Sequence, residues 1–322
     1  MVELLTLDEL SGPSNRCLLL VHGRDFKPGS NNYLDLSVAA LRAGLERDYP
    51  QQLDAFNAVQ KHLAWYGDLS EEVLLACGKR YDLELDLGDR RNALNALRQI
   101  APRKRFGIRY YDRLPGKSAV PEFVAGVAAP VLGTVGLVMP LLSRVAADFA
   151  AYFDSKQDFA AKVRERVRTA VCAAMDRDDR ILLLAHGTGS VIVYDVLCQL
   201  SHDPELKAQY GDKKVEVLLT MGSPLGDKSV RKRLYREKNN KHCSFPANVI
   251  SWHNVSAEDD YTCHDNTLAD DYKRMLKEHL VSAVHDYHVY NHAVRYGKSN
   301  PHSSVGYYIH PRTAKIVADW LS

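Results

Sequence analysis

The most distinctive spacing of small residues lies in the segment Ala185-His186-Gly187-Thr188-Gly189. It joins a fully apolar run, 180–185, to a segment with the pattern of a buried helix, 190–200. A sharp turn between a strand and a helix can present one residue as a nucleophile toward a carbonyl group, and the residues two before and two after it must then be small. Ala185 and Gly189 meet this requirement around position 187, and no neighbouring register does. The spacing therefore indicates position 187 as the nucleophile position.

Position 187 holds a glycine, which has no side-chain atom that could attack a carbonyl carbon. A route through a covalent acyl-enzyme is therefore blocked at this position. Glycine also adopts the backbone conformation of such a turn with little strain, which relieves about 1 to 3 kcal/mol relative to another residue. The sequence thus predicts a nucleophile turn without its nucleophile.

Short apolar runs and helical periods predict the elements that position this turn. Strand patterns lie at 16–21, 62–66, 180–185, 215–221 and 248–252, and helical patterns at 33–47, 90–100 and 190–200. Runs that are apolar throughout and end at a turn are typical of strands buried on both faces. Alternation of such strands with helices predicts an α/β protein with a parallel sheet covered on both sides.

Four segments together resemble the lipase and esterase branch of the α/β-hydrolase superfamily, and in particular bacterial lipase-like proteins. They are the turn at 187, His22-Gly23-Arg24 after the first strand, the helix segment 190–195, and Gly222-Ser223-Pro224-Leu225 after a later strand. The resemblance covers most of the chain. It implies the α/β-hydrolase fold, with a mostly parallel central sheet flanked by helices, in a single domain over 1–322.

The resemblance also implies a catalytic triad whose members follow in the order nucleophile, acid and histidine. The acid position corresponds to Asp260, with Asp259 as a close second, after the strand pattern at 248–252. His302, shortly before the last helical segment at 311–321, corresponds to the general base. An aspartate after a strand often caps a turn, and a histidine beside serine and tyrosine is often only hydrogen-bonded.

Backbone groups near Arg24 and Thr188 correspond to the oxyanion pocket of that family. His22 and His186 adjoin the same two turns and are secondary candidates for the site, as is Ser190. The implied ligand is an acyl ester or a lipid, and no cofactor or metal ion is expected.

Three explanations of the glycine remain open. The chain is a degenerate hydrolase that keeps its cleft to bind a ligand or partner, or another nucleophile replaces the serine, or the serine of an active enzyme has been substituted. A replacement could be the hydroxyl of Ser190 or Thr188, or a water activated by His302. Ser190 lies further along the helix, so its attack would require a shifted substrate.

The stretch 123–143 contains 21 residues without a charge, close to the roughly 20 that span a bilayer. Its three glycines and two prolines, and its position between two parts of one sheet, argue against a membrane span. An inserted apolar helical cap over 115–155 is expected instead, with peripheral membrane contact possible through 120–147. A buried helical hairpin without a ligand role explains the same residues equally well.

Composition narrows the class of protein further. Apolar residues make up 46% and charged residues 25% of the 322 residues, which excludes a disordered or fibrous chain. The charges of the 42 basic and 40 acidic residues almost cancel, so binding to nucleic acid is not expected.

The six cysteines lack a Cys-x-x-Cys pair and are expected to be reduced and buried. The first ten residues lack the pattern of a secretory signal, and a cytoplasmic location is expected.

A nucleotide-binding protein is a further alternative, because Gly187-Thr188-Gly189 stands between a strand and a helix. The third glycine of a dinucleotide fingerprint would fall at Ile192, so the pattern is incomplete.

Histidines are dense after residue 240, but adjacent pairs such as His242 with Cys243 point to opposite faces of a strand and rarely share a metal ion.

Overall fold

The computed structural model describes residues 16–100, 106–116, 146–154, 158–177, 179–234, 245–263 and 267–322. Within these ranges six strands form one sheet in the order β2-β1-β3-β4-β5-β6, and every neighbouring pair is parallel. The strands are β1 (Arg16–Val21), β2 (Gln60–Ala64), β3 (Arg180–His186), β4 (Val215–Met221), β5 (Val249–Ala257) and β6 (Ala283–Val289). A separate antiparallel hairpin joins β7 (Val294–Arg295) to β8 (Lys298–Ser299).

Helices connect the strands and cover the sheet. Those before β3 are α1 (Ser30–Asp48), α2 (Leu53–Ala58), α3 (Gly67–Ala76), α4 (Leu83–Arg98), α5 (Ile108–Tyr111), α6 (Ala147–Tyr152) and α7 (Phe159–Asp176). Those after β3 are α8 (Thr188–His202), α9 (Pro204–Tyr210), α10 (Lys228–Arg231), α11 (Leu268–Asp271), α12 (Lys273–Lys277), α13 (Ser304–Tyr308) and α14 (Pro311–Leu321).

The central strands are buried on both faces, which explains their unbroken apolar sequences. In β1, Cys17 and Leu19 belong to the core that contains residues of α7 and α8, while Leu18 and Leu20 belong to the opposite core with residues of α1, α4 and α14. All four side chains have no solvent exposure. The predicted α/β class, with a parallel sheet flanked by helices, is confirmed.

The parallel arrangement brings the carboxyl ends of the strands to one edge of the sheet. Val21 at the end of β1 is in register with Ala185 of β3, which in turn pairs with Thr220 of β4. Thr220 pairs with Asn254 of β5. The turns that follow these strands, including the one at Gly187, therefore adjoin one another, although they are far apart in the sequence.

Several sequence expectations fall on residues outside the described ranges. Of the expected cap over 115–155, residues 117–145 are outside them, and with these almost all of the candidate membrane contact at 120–147. Helix α6 belongs to the described remainder. Across the described residues, every helix is too short or too polar to cross a bilayer. The expectation that the cysteines are buried is wrong for Cys77, which is exposed just after the end of α3.

Candidate functional site

The turn at position 187 consists of a single residue between a strand and a helix. Strand β3 ends at His186, α8 begins at Thr188, and Gly187 has φ 54° and ψ −125°. Residues with a β-carbon rarely adopt this backbone conformation. The Gly187 N–H donates to the Met221 carbonyl at 2.8 Å, so the turn is also fastened to the end of β4.

Gly189 satisfies a separate steric requirement of the same turn. A β-carbon at position 189 would lie 2.9 Å from the Val21 carbonyl oxygen and closer still to that of His22. The first turn of α8 therefore rests directly on the backbone at the end of β1. The small residue two positions after Gly187 is explained by this helix-to-strand contact, without any need for a bound phosphate.

Asp260 and His302 are in direct contact, although 42 residues separate them in the sequence. The two carboxylate oxygens of Asp260 lie 2.9 and 3.0 Å from Nδ1 of His302. The carboxylate also accepts hydrogen bonds from the Tyr307 hydroxyl at 2.7 Å and from the Thr262 N–H at 3.0 Å. Its side chain is completely buried, whereas the His302 side chain retains 15% exposure.

The environment of Asp260 favours its ionised form. Burial alone would raise the pKa of its carboxyl group, but the charge of His302 and the hydrogen bonds from His302, Tyr307 and Thr262 lower that pKa well below its usual value. A carboxylate only accepts hydrogen bonds, so Nδ1 of a neutral His302 carries the proton and Nε2 carries the lone pair.

The lone pair of His302 faces the turn at 187. A β-carbon at position 187 would lie 3.0 Å from Nε2 and 3.2 Å from Cε1 of His302, and 3.8 Å from Cα of Gly23. The first of these distances is shorter than an ordinary van der Waals contact. A serine at this position would therefore require the imidazole ring to move by a few tenths of an ångström.

A second glycine makes room for the pair of Asp260 and His302. Gly222, directly after β4, has φ 56°, and a β-carbon there would lie 2.8 Å from Oδ2 of Asp260 and 3.0 Å from Nδ1 of His302. The sequence analysis identified the segment that begins at Gly222 but did not predict this steric reason for the glycine. Any larger residue would push into the hydrogen bond between the two side chains.

The other candidate residues have different environments. Asp259 accepts a hydrogen bond from the Tyr111 hydroxyl at 3.1 Å, and it is Asp260 that contacts His302. The buried hydroxyl of Ser190 lies 2.6 Å from the Gly187 carbonyl oxygen and 2.7 Å from Oγ of Ser223. Those hydrogen bonds hold the Ser190 hydroxyl within the turn and α8, and none joins it to His302 in the described residues.

The loop after β1 contains His22 and Arg24. His22 is fully buried, its ring stacks on that of Tyr66 at 3.9 Å, and burial lowers its pKa to about 3. Its Nδ1 lies 2.8 Å from the Gly23 carbonyl oxygen, while Nε2 accepts from the Tyr66 N–H at 3.3 Å. His22 is thus a neutral, buried residue that packs within the loop.

The two residues proposed for the oxyanion pocket have different surroundings. The Arg24 guanidinium hydrogen-bonds to the Tyr261 hydroxyl, and Thr188 is buried at the start of α8.

His186, the last residue of β3, packs against His302. Their ring centroids are 4.6 Å apart, and only 6% of His186 is exposed. Burial and the neighbouring His302 lower the pKa of His186 well below its usual value, so its ring is neutral at physiological pH. His186 limits the movement of His302 through contact of the two rings.

Sequence reasoning missed two residues that donate hydrogen bonds to the Asp260 carboxylate: Tyr307 and Thr262. Thr262 could have been found, because an aspartate side chain commonly accepts the backbone N–H two residues later. Tyr307 carries no comparable local signal, since its partner Asp260 lies 47 residues away in the sequence.

Comparisons with models of known protein families, with curated proteins and with solved structures gave no match to this chain. In the described residues, no group of three or more histidine, cysteine, aspartate or glutamate side chains is arranged to hold a metal ion. The architecture is that of an α/β protein with a parallel six-stranded sheet, and its chemically distinctive groups meet at the carboxyl edge of that sheet.

Proposed function

We propose that this chain is a lipase-like or esterase-like protein of the α/β-hydrolase type that binds an acyl ester or a lipid at the site formed by Gly187, Asp260 and His302. One observation carries the proposal. His302, which Asp260 binds through Nδ1, has its Nε2 3.0 Å from the place where a β-carbon at position 187 would lie. In serine hydrolases this is where the general base meets the nucleophilic hydroxyl.

The surroundings of Gly187 support a site for an acyl group. The loop after β1 lies 3.8 Å from its β-carbon position, at Cα of Gly23, and α8 begins at Thr188. The N–H of Arg24 and that of Thr188 would donate to the carbonyl oxygen of a bound ester. With these donors and an imidazole on the other side, the ligand is held where a serine would attack it.

The absence of a hydroxyl at 187 makes ligand binding without an acyl-enzyme the primary activity. An apolar cap over 115–155 would cover the acyl chain in this scheme, and its outer surface would meet lipid through 120–147. The proposed location remains the cytoplasm, with peripheral contact to a membrane.

A second candidate is direct hydrolysis by a water molecule. It is favoured by the buried Asp260 carboxylate, because such a charge is costly to desolvate and here serves to orient one imidazole. His302 Nε2 would take a proton from water as its oxygen attacks the ester carbonyl. The same proton would pass to the departing alkoxide, which leaves an acid and an alcohol.

The change Gly187→Ser tests the proposal. With Asp260, His302 and the oxyanion donors in place, the variant is expected to hydrolyse short-chain and long-chain acyl esters at least roughly 100-fold faster than the native chain. Gly187→Ala is the matched control, because it adds the same β-carbon at the same backbone conformation without a hydroxyl.

A folded Gly187→Ser protein that is no more active than Gly187→Ala would overturn the proposal. The same assay separates the two candidates. Slow hydrolysis by the native chain that disappears in His302→Gln supports attack by water, whereas an inactive native chain that binds the ester supports binding alone.

A further inference from the structure

Helix α6 contacts both parts of the chain that would supply the oxyanion donors. Asp148 and Tyr152 are four residues apart and therefore lie on the same face of this helix. Both are buried, with 3% and 6% exposure. Asp148 reaches the loop after β1, and Tyr152 reaches α8, the helix that follows Gly187.

The contact to the loop is a hydrogen bond to its most strained residue. Oδ2 of Asp148 accepts the N–H of Asp25 at 2.7 Å. Asp25 has φ 78°, a left-handed conformation that costs a non-glycine residue on the order of 1 kcal/mol or more. A buried carboxylate that accepts this N–H favours the left-handed conformation, which sets the direction of the preceding peptide and of Arg24.

Two further contacts restrain the same loop. The Lys27 ammonium group donates to the carbonyl oxygens of Arg24, Asp25 and Phe26, the last two at 3.0 and 3.3 Å. The ring of Phe26 stacks on Tyr81 with centroids 4.7 Å apart and planes within 5° of parallel. The Lys27 contacts hold the loop from within, whereas Phe26 joins it to the segment between α3 and α4 and Asp148 joins it to α6.

The contact to α8 fixes the other end of the helix. The Tyr152 hydroxyl donates to Oδ2 of Asp195 at 2.7 Å, and Asp195 is 97% buried in α8. Arg164 of α7 approaches the same carboxylate oxygen at 3.9 Å. Because α8 begins at Thr188, the Tyr152 hydrogen bond joins α6 to the helix that carries the Thr188 N–H.

We propose that Asp148 is a positioning residue for the two N–H donors. Tyr152 joins α6 to α8, and Asp148 of α6 holds the loop at Asp25. Together these contacts set the position of the Arg24 N–H relative to the Thr188 N–H. The proposal rests on the proposed function for the meaning of these two donors. The hold that Asp148 exerts on the loop is a separate physical claim and can be measured without any catalysis.

Hydrogen exchange of the native Gly187 chain provides that measurement. In Asp148→Ala, amides of residues 23–28 are expected to exchange at least roughly tenfold faster, because the hydrogen bond that holds the Asp25 N–H is lost. Asp148→Asn keeps one acceptor oxygen for the two N–H groups that this side chain accepts, those of Asp25 and Phe149, and is expected to show a smaller increase than Asp148→Ala. Asp158→Asn, an acid-to-amide change on an exposed residue, is the matched control.

Exchange in β3 shows whether the effect is local. Unchanged β3 with faster exchange at 23–28 supports the proposal. Unchanged exchange at 23–28 in folded Asp148→Ala overturns it, and so does an equal increase in β3, which would indicate general destabilisation rather than positioning.

Catalysis in the Gly187→Ser background gives a second readout. Asp148→Ala is expected to lower kcat roughly 10-fold to 100-fold with KM within about twofold, as expected when a donor that acts mainly in the transition state is misplaced. A proportionate rise of KM with unchanged kcat contradicts the positioning role. If Gly187→Ser has no activity, the proposed function fails, while the exchange data still decide whether Asp148 holds the loop.

Discussion

At position 187, glycine affects both reactivity and space. The imidazole of His302 lies closer to the turn than a side chain at 187 would allow without adjustment, at 3.0 Å from the β-carbon position. The pair of His302 and Asp260 nevertheless has an orientation that leaves Nε2 free of the carboxylate and directed at the turn. The individual residues therefore place Nε2 of His302 against the turn, at a position that has no side chain to contact it.

Tyr307 is expected to stabilise the buried Asp260 carboxylate. Its hydroxyl donates to Asp260 at 2.7 Å and accepts the Ala257 N–H at 2.9 Å. The change Tyr307→Phe removes both hydrogen bonds inside the core, so the free energy of unfolding is expected to fall by about 1 to 3 kcal/mol. Urea denaturation measures this difference.

The neighbouring Tyr308 provides the matched control. It is also fully buried, but in the described part of the chain its hydroxyl only lies near those of Tyr33 and Ser37 and forms no hydrogen bond of ordinary geometry. Tyr308→Phe is therefore expected to change the free energy of unfolding by less than about 0.5 kcal/mol. Equal losses in the two variants would show that the hydrogen bonds of Tyr307 do not support Asp260.

At the scale of elements, the site depends on how closely α8 and the strand ends approach each other. Gly189 allows α8 to touch the end of β1, and Gly222 allows the Asp260 and His302 side chains to lie against the end of β4. Both contacts exist because neighbouring parallel strands end in register. The position of the helix therefore follows from strand pairing as much as from its own sequence.

Gly189→Ala tests the contact between α8 and β1. Its β-carbon would meet the backbone carbonyl oxygens of Val21 and His22, which cannot rotate away. The free energy of unfolding is expected to fall by about 2 kcal/mol or more, because such overlap forces the helix to shift. Thermal or urea denaturation measures the effect.

Gly88→Ala in α4 is the control for this prediction. A β-carbon at position 88 has no heavy atom within 4 Å, so the substitution is expected to stabilise the protein by about 0.5 to 1 kcal/mol. A stabilising effect of Gly189→Ala comparable to that of Gly88→Ala would mean that α8 does not lie directly on β1.

At the scale of the whole molecule, buried ionisable groups couple stability to pH. His22 has a pKa of about 3 in the folded protein and about 6.5 when exposed. Between these values the unfolded state binds more protons, so the free energy of unfolding decreases as pH falls from 6.5 toward 3. His186 contributes with the same sign, because burial lowers its pKa as well.

The contribution of His22 is expected to reach on the order of 5 kcal/mol at the acid end of this window. Urea denaturation at pH 7, 5.5 and 4 measures the slope in the native protein and in His22→Gln, which cannot titrate. The slope is expected to be shallower in the variant. Identical slopes would contradict the assignment of His22 as a buried neutral residue.

Much of the fold could be predicted from the sequence because it follows local patterns. The apolar run at 16–21 coincides with β1, and the helical period at 33–47 lies within α1, Ser30–Asp48. The helical segment predicted at 90–100 begins late, since α4 starts at Leu83 with Asp82 as its cap. Its first turns carry exposed leucines, which obscure the amphipathic period.

By itself, the sequence determined the parallel sheet, the turn centred on Gly187 and the absence of a hydroxyl there. Each of these follows from apolar runs, periodicity or the spacing of small residues within a short segment of the chain. Only the tertiary structure decided that Asp260 rather than Asp259 contacts His302 and that Asp148 binds the loop at Asp25. Such contacts join residues far apart in the chain. Their geometry depends on strand register and helix packing, which no local pattern encodes.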